Sequence, residues 1–242
     1  MKDIILLKQG EVVLKGLNRR FFEQKLVTNI RKRLKPMGAF HVYCVQSTVY
    51  VEPEDELADM DAAFDALSKT FGVVALSRAA ACEKDEDAIA KLAIEYLRDD
   101  MLAAESFKVE TKRSDKSFHL TSIQLSQYVG GLLAEAYPET RVDVRHPELV
   151  VHLEVRDYAA YVHAAPTQGA GGLPVGSNGR AVTLLSGGID SPVSTWMITR
   201  RGVRCIPVHF FSFPYTSEAA KEKVVELARL LTPWCGQMCL EV

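Results

Sequence analysis

Leu184-Leu185-Ser186-Gly187-Gly188-Ile189-Asp190-Ser191-Pro192-Val193 reads as a strand that runs into a glycine turn and then into a helix. Ala181 to Leu185 is a short apolar, partly β-branched run, as a buried strand requires. Gly187 and Gly188 permit a tight turn and let a ligand come close to the backbone. Ser191 is a good helix N-cap, and Pro192 then falls at the first helical position, where its missing N–H costs nothing. The free N–H groups of such a turn and the helix dipole act on one spot, which makes an anion site. Asp190 at its rim has the chemistry to hold Mg²⁺ between phosphates, and is the candidate catalytic carboxylate and metal ligand. A Walker A loop would need Lys-Ser or Lys-Thr after its last glycine, and Ile189-Asp190 stand there instead.

Downstream, Thr195 to Arg201 continues the helix and Val203 to Phe210 reads as a strand. Thr216 to Leu231 reads as a helix with Ala219, Val224, Leu227, Ala228 and Leu231 inward, and Gln237 to Val242 starts another strand. This alternation implies a parallel sheet with right-handed crossovers and ligands at the C-terminal strand ends. His209 and Phe210 lie at such an end. Sheets of this type usually have about five or six strands. The chain stops inside the third, so the expectation is a truncated protein.

Upstream, Gly169-Ala170-Gly171-Gly172-Leu173-Pro174-Val175-Gly176 reads by composition as a flexible joint. Before it lies α+β sequence. Residues 3–16 suggest a strand, a turn near Gln9-Gly10 and a second extended piece. Asn18 is positioned to cap a helix to about Lys35 with Phe21, Phe22, Leu26, Ile30 and Leu34 as its apolar stripe. Phe40–Val45 and Thr48–Val51 form a hairpin across Gln46-Ser47. A helix over 57–69, a strand over Val73–Ala80 and a helix over Asp85–Leu102 follow. Phe107–Arg113 is an edge-like strand, Ser122 begins a helix, and strands are expected over 140–145, 148–155 and 158–164.

The 242 residues are 48% apolar and 25% charged, with a net charge of −2, as expected of a globular chain of two or three domains. No apolar run approaches the ~20 residues that cross a bilayer, and the N-terminus lacks signal-peptide character. Five scattered cysteines suit a reducing cytoplasm. Charge is segregated: eight Lys/Arg and one acid between Lys15 and Lys35, then seven acids between Glu52 and Asp65. Such segregation can build a basic face on a neutral protein. Lys112, Arg113 and Lys116 beside Phe118 offer phosphate contacts next to an aromatic surface, a combination suited to RNA.

These motifs carry a resemblance. SGGIDS resembles the PP-loop of ATP pyrophosphatases, which cleave ATP to AMP and pyrophosphate. Phe107 to Phe118, the helix after it and the strands around Arg145 and His152 look like a THUMP domain, a tRNA-binding module, although His119 stands where that family has proline. With the GGLPVG linker and LLSGGIDSPV, the whole chain resembles the tRNA 4-thiouridine synthetase (ThiI) family. The resemblance implies a ferredoxin-like domain over 1–56, THUMP over 57–166, a linker over 167–179 and an incomplete Rossmann-like α/β domain of PP-loop type over 180–242. It implies ATP held by Leu184, Leu185, Ser186, Gly187, Gly188, Ile189, Asp190, Ser191, His209 and Phe210, with Mg²⁺ at Asp190. It implies a cytoplasmic tRNA sulfurtransferase that adenylates uridine 8 and replaces its oxygen with persulfide sulfur, with a link to thiamine thiazole synthesis. The implied partners are tRNA, a cysteine desulfurase, a sulfur-carrier protein and a second copy in a homodimer. The family's persulfide cysteine is not carried onto Cys205, Cys235 or Cys239. Two other readings stay open: another PP-loop tRNA-modifying ligase, and a non-catalytic tRNA-binding module.

Overall fold

The computed structural model describes residues 2–212 and 214–242. The strands are β1 (Lys2–Gln9), β2 (Phe40–Val45), β3 (Thr48–Pro53), β4 (Val73–Cys82), β5 (Ser106–Arg113), β6 (Arg141–Val142), β7 (Leu149–Val155), β8 (Ala160–His163), β9 (Thr167–Gln168), β10 (Arg180–Leu184) and β11 (Arg204–Val208). The α-helices are α1 (Arg19–Leu34), α2 (Met60–Ser68), α3 (Glu86–Tyr96), α4 (Arg98–Ala103), α5 (Ser122–Ala136), α6 (Asp190–Arg200) and α7 (Glu218–Cys235). They form two compact units. One holds the residues up to Leu6 with Ser77–Thr167, the other Leu7–Leu76 with Gln168–Val242.

In the first unit the strand order is β4-β8-β7-β5-β6. β7 runs parallel to β5 from Phe107↔Leu149 to Arg113↔Val155, and antiparallel to β8. α3 and α5 bury Ile89, Leu92, Leu125, Val129 and Leu133 in one core with Phe107, Val151, Leu153 and Val162. Each of these large side chains contributes roughly 1.5–3 kcal/mol by leaving water. α5 starts where Thr121 accepts from the Gln124 N–H while the Gln124 side chain returns to the Thr121 N–H. The single helix expected over 85–102 is two, because Leu97 leaves helical geometry and buries its side chain in the core. β6 pairs with β5 only at Ser106 and Phe107, so the rest of β5 is an edge as the sequence suggested.

In the second unit α1 buries Phe22, Leu26, Ile30 and Leu34. Phe21, expected on the same stripe, is 53% exposed against 7% for Phe22, since consecutive helical residues point about 100° apart. Asn18 precedes α1 as expected but its side chain makes no capping bond. The extended piece expected before Gly16 is instead 3₁₀-helical, over Glu11–Leu14 and again over Gly16–Asn18. The β2–β3 hairpin turns at Gln46 and Ser47, both with positive φ, the handedness that suits a two-residue hairpin.

The Gly-rich stretch is a fixed strap rather than a flexible joint. The Gly169 N–H donates to the Val74 carbonyl (3.0 Å), that of Gly171 to Val73 (2.7 Å) and that of Leu173 to Arg200 (2.9 Å). Leu173 is buried with Val12 and Phe22, and Asn29 donates to the Val175 carbonyl. At Gly172, φ is +73° and an added Cβ would lie 2.3 Å from the Arg200 carbonyl oxygen, so only glycine fits. β10 and β11 then pair in parallel from Arg180↔Arg204 to Leu184↔Val208. Where a strand is expected over Gln237–Val242, the described residues show only an isolated parallel bridge between Glu241 and Val208.

Candidate functional site

The Ser186–Ser191 turn leaves the C-terminal end of β10, as the parallel-sheet rule requires. Leu185 anchors it: the side chain is 2% exposed and packs with Phe71, Val224, Ala228, Leu231 and Cys235. Its N–H donates to the Val208 carbonyl (2.8 Å). Leu184 points the other way and is 62% exposed.

Ser191 does not cap the helix. α6 begins one residue earlier, at Asp190, with Ile189 at the cap position and no side-chain cap. Ser191 Oγ instead accepts from the Ser186 N–H (2.9 Å), donates to the Ser186 carbonyl (3.2 Å) and lies 3.1 Å from Ser186 Oγ. The two serines thus close the loop on itself. Pro192 sits at the third helical position, still among residues whose N–H has no helical acceptor. The backbone N–H groups of Gly187, Gly188 and Ile189 donate to no group among the described residues. They lie at the positive end of α6. Asp190 is exposed and has no ion pair among the described residues.

His209 sits at the end of β11, 9% exposed. Its Nδ1 donates to the Leu185 carbonyl (3.0 Å). Its Nε2 is buried without a partner. The His209 backbone N–H donates to the Glu241 carbonyl (2.8 Å). Phe210, the next residue, is exposed. The structure therefore gathers Leu185, the 186–191 loop and His209 at one end of the β10–β11 pair. It also places Lys223 of α7 against Gly187, a neighbour the sequence reading missed; nothing in the mixed charges of that helix marks it.

No group of three or more His, Cys, Asp or Glu able to hold a metal exists among the described residues. Asp190 alone still fits Mg²⁺, which is commonly bound by one or two carboxylates together with substrate phosphates. All five cysteines are free thiols. Cys235 is buried, and burial pushes its pKa up to about 11, so it is no ready nucleophile.

The basic loop of the first unit is tied by its own hydrogen bonds, with Lys116 Nζ donating to the Arg113 carbonyl (3.3 Å). Arg113 Nη1 donates to the Phe118 carbonyl (2.7 Å), and Arg113 Nε is buried without a partner. Asp115 accepts from Lys84 (2.6 Å) and from the Ser117 N–H and hydroxyl, contacts that hold its carboxyl well below the usual range. Phe118 does not form the open aromatic surface expected of it: the ring is 8% exposed and belongs to the core. The ring that covers it is His119, 4.9 Å away and exposed. Lys112 and Lys116 remain exposed. In α1, Arg19, Arg31 and Arg33 are likewise engaged, with Glu23, the Val42 carbonyl and the Ala66 and Trp234 carbonyls.

Comparison with known proteins follows this order along the chain. Residues 4–77 match the ThiI ferredoxin-like domain, 83–164 the THUMP domain and 176–242 the family described as thiamine biosynthesis protein (ThiI). A probable tRNA sulfurtransferase of Acetivibrio thermocellus is 43% identical over 100% of this chain and 62% of its own length. One of Alkaliphilus oremlandii is 44% identical over 98% and 60%. A crystal structure of a 4-thiouridine synthetase–RNA complex with bound ATP is 33% identical, with a TM-score of 0.87, covering 99% of this chain and 61% of that one. A protein of Pyrococcus horikoshii Ot3, 23% identical with a TM-score of 0.85 over 99% and 79%, shares the fold. The chain thus spans about 60% of the length of the curated relatives it matches. Among the described residues no helix is long and apolar enough to cross a membrane.

Proposed function

This chain belongs to the ThiI family, and from that premise we propose that it serves an ATP-dependent tRNA sulfurtransferase, with the 186–191 loop as its ATP site and the first unit as an RNA-binding surface. The observation that carries the reading is the loop itself. Its three free N–H groups sit at a helix start, its shape is locked by Ser186 and Ser191, and it lies where ligands of parallel sheets bind.

In this reading the uracil O4 attacks the α-phosphorus, the bond to the β-phosphate oxygen breaks, and pyrophosphate leaves. The terminal sulfur of a persulfide then attacks C4 and AMP leaves; a second thiol attacks the inner sulfur of the C4–S–S linkage, which breaks the S–S bond, releases 4-thiouridine and leaves a disulfide between the two thiols. The N–H groups of Gly187, Gly188 and Ile189 hold phosphate oxygens, preorganised so that no reorganisation is needed as charge develops. His209 fixes the Leu185 carbonyl at the start of the loop. Asp190 holds Mg²⁺, which neutralises phosphate charge when bound. Lys112 and Lys116 take RNA phosphates, while Arg113 positions their loop through the Phe118 carbonyl. The finer assignments follow the family resemblance: uridine 8 as the base, a cysteine desulfurase as sulfur source, a sulfur-carrier protein linking to thiamine, a homodimer and a cytoplasmic setting.

Two substitutions should separate the two surfaces. Asp190→Ala should abolish adenylation yet leave tRNA affinity within about twofold. Lys112→Ala with Lys116→Ala should weaken tRNA binding and lower its log–log salt slope by about two, with ATP binding intact. Equal loss of both activities in Asp190→Ala would defeat the ATP assignment, and an unchanged salt slope would defeat the RNA surface.

A further inference from the structure

The loop carries no cation of its own, because Ile189-Asp190 stand where a Walker A loop has its lysine. α7 brings one from outside. The Cδ of Lys223 is 3.5 Å from where a Cβ on Gly187 would sit, so its stem lies along the glycine turn and its ammonium is two bonds further on. Neighbouring cations of α7 are already engaged. Lys221 pairs with Glu218 (3.0 Å) and lies over the Phe211 ring, and Arg229 pairs with Glu226 (3.3 Å). Lys223 is exposed and has no carboxylate partner among the described residues.

Its position is fixed by packing. Val224, the residue after it, shares a buried cluster with Leu185, the residue before the loop, and with Ala228 and Leu231. The two neighbours in sequence are thus held in one core, which sets the lysine against the loop before any ligand arrives. An ammonium is a compact point charge with three donors, suited to phosphate oxygens.

We propose that Lys223 is the phosphate-binding cation of this site, holding the β- and γ-phosphates that leave as pyrophosphate. The proposal rests on the reading of the 186–191 loop as the ATP site. It makes Lys223 the residue that distinguishes ATP from AMP, since AMP lacks the phosphates it holds.

Calorimetric titration of ATP and of AMP into this chain, Lys223→Met and Lys223→Arg tests it. Met keeps the stem that covers Gly187 and removes the charge; Arg keeps the charge. Lys223→Met should bind ATP roughly tenfold or more weakly and AMP within about twofold of the unsubstituted chain, while Lys223→Arg retains most of the ATP affinity. ATP binding by Lys223→Met at full strength would overturn the proposal. So would an equal loss of ATP and AMP, which would mark the side chain as packing only. If the unsubstituted chain, folded by circular dichroism, bound neither nucleotide, the ATP assignment itself would fall and this proposal with it. If it bound both and only the Lys223 pattern failed, the ATP assignment would stand alone.

Discussion

His152 stacks on His163 with ring centroids 5.0 Å apart, and its Nδ1 lies 3.8 Å from Glu110 Oε2. Burial, and then the neighbouring His163, push its pKa down to about 4. The folded chain keeps this ring neutral, whereas the unfolded chain takes up a proton near its ordinary value of about 6.5. Its contribution is therefore whole above about pH 6.5 and is lost as pH falls toward about 4. Urea unfolding at about pH 7.5 and about pH 5 should differ by on the order of 2 kcal/mol from this group. His152→Gln should remove most of that difference, and a variant with the same pH dependence would contradict the assignment. At this scale the sequence told residue types better than residue duties. Ser191 was legible as a polar residue at a helix start. Its real bond, back across five residues to Ser186, depends on loop closure that no local pattern encodes. Phe118 reads as an aromatic surface beside three basic residues, but its burial is decided by the core beneath it.

Elements with a strong period were the most legible. α1 and α7 fall within a few residues of their expected spans, and α5 begins at Ser122 as expected, because apolar spacing marks each helix. Failures came where tertiary packing overrode a local rule. Leu97 breaks a periodic helix, Ala219 of α7 is exposed rather than inward because it lies in the first turn, and the 11–18 segment winds into 3₁₀ turns. The Gly-rich strap is the clearest case. Glycine there reads as flexibility, yet it is needed because backbone passes against backbone at Gly169 and Gly172. Gly172→Ala would need a strained positive φ and would clash with the Arg200 carbonyl. It should lower unfolding stability by about 2 kcal/mol or more in a denaturant titration. A loss below about 0.5 kcal/mol would mean the strap is not fixed as described.

For the whole molecule, the strap sets how the chemistry is assembled. It belongs to the same compact unit as α1 and the 186–191 loop, so that loop is framed by sequence from both ends of the chain. The order of three family matches, ferredoxin-like, THUMP and ThiI, reproduces the order in which the motifs occur. The fold class was legible because each segment carries its own pattern. The site was legible only in part, because the loop is one contiguous string whereas Lys223 reaches it from a helix more than thirty residues on. The proposed role in tRNA thiolation is open to a direct test. The most direct measurement is the 4-thiouridine content of tRNA from cells whose sole copy of the thiolating gene is the one carrying this sequence. 4-Thiouridine should be present, and should disappear when that gene carries Asp190→Ala. Stable expression of the unsubstituted protein with no 4-thiouridine in the tRNA would contradict that role.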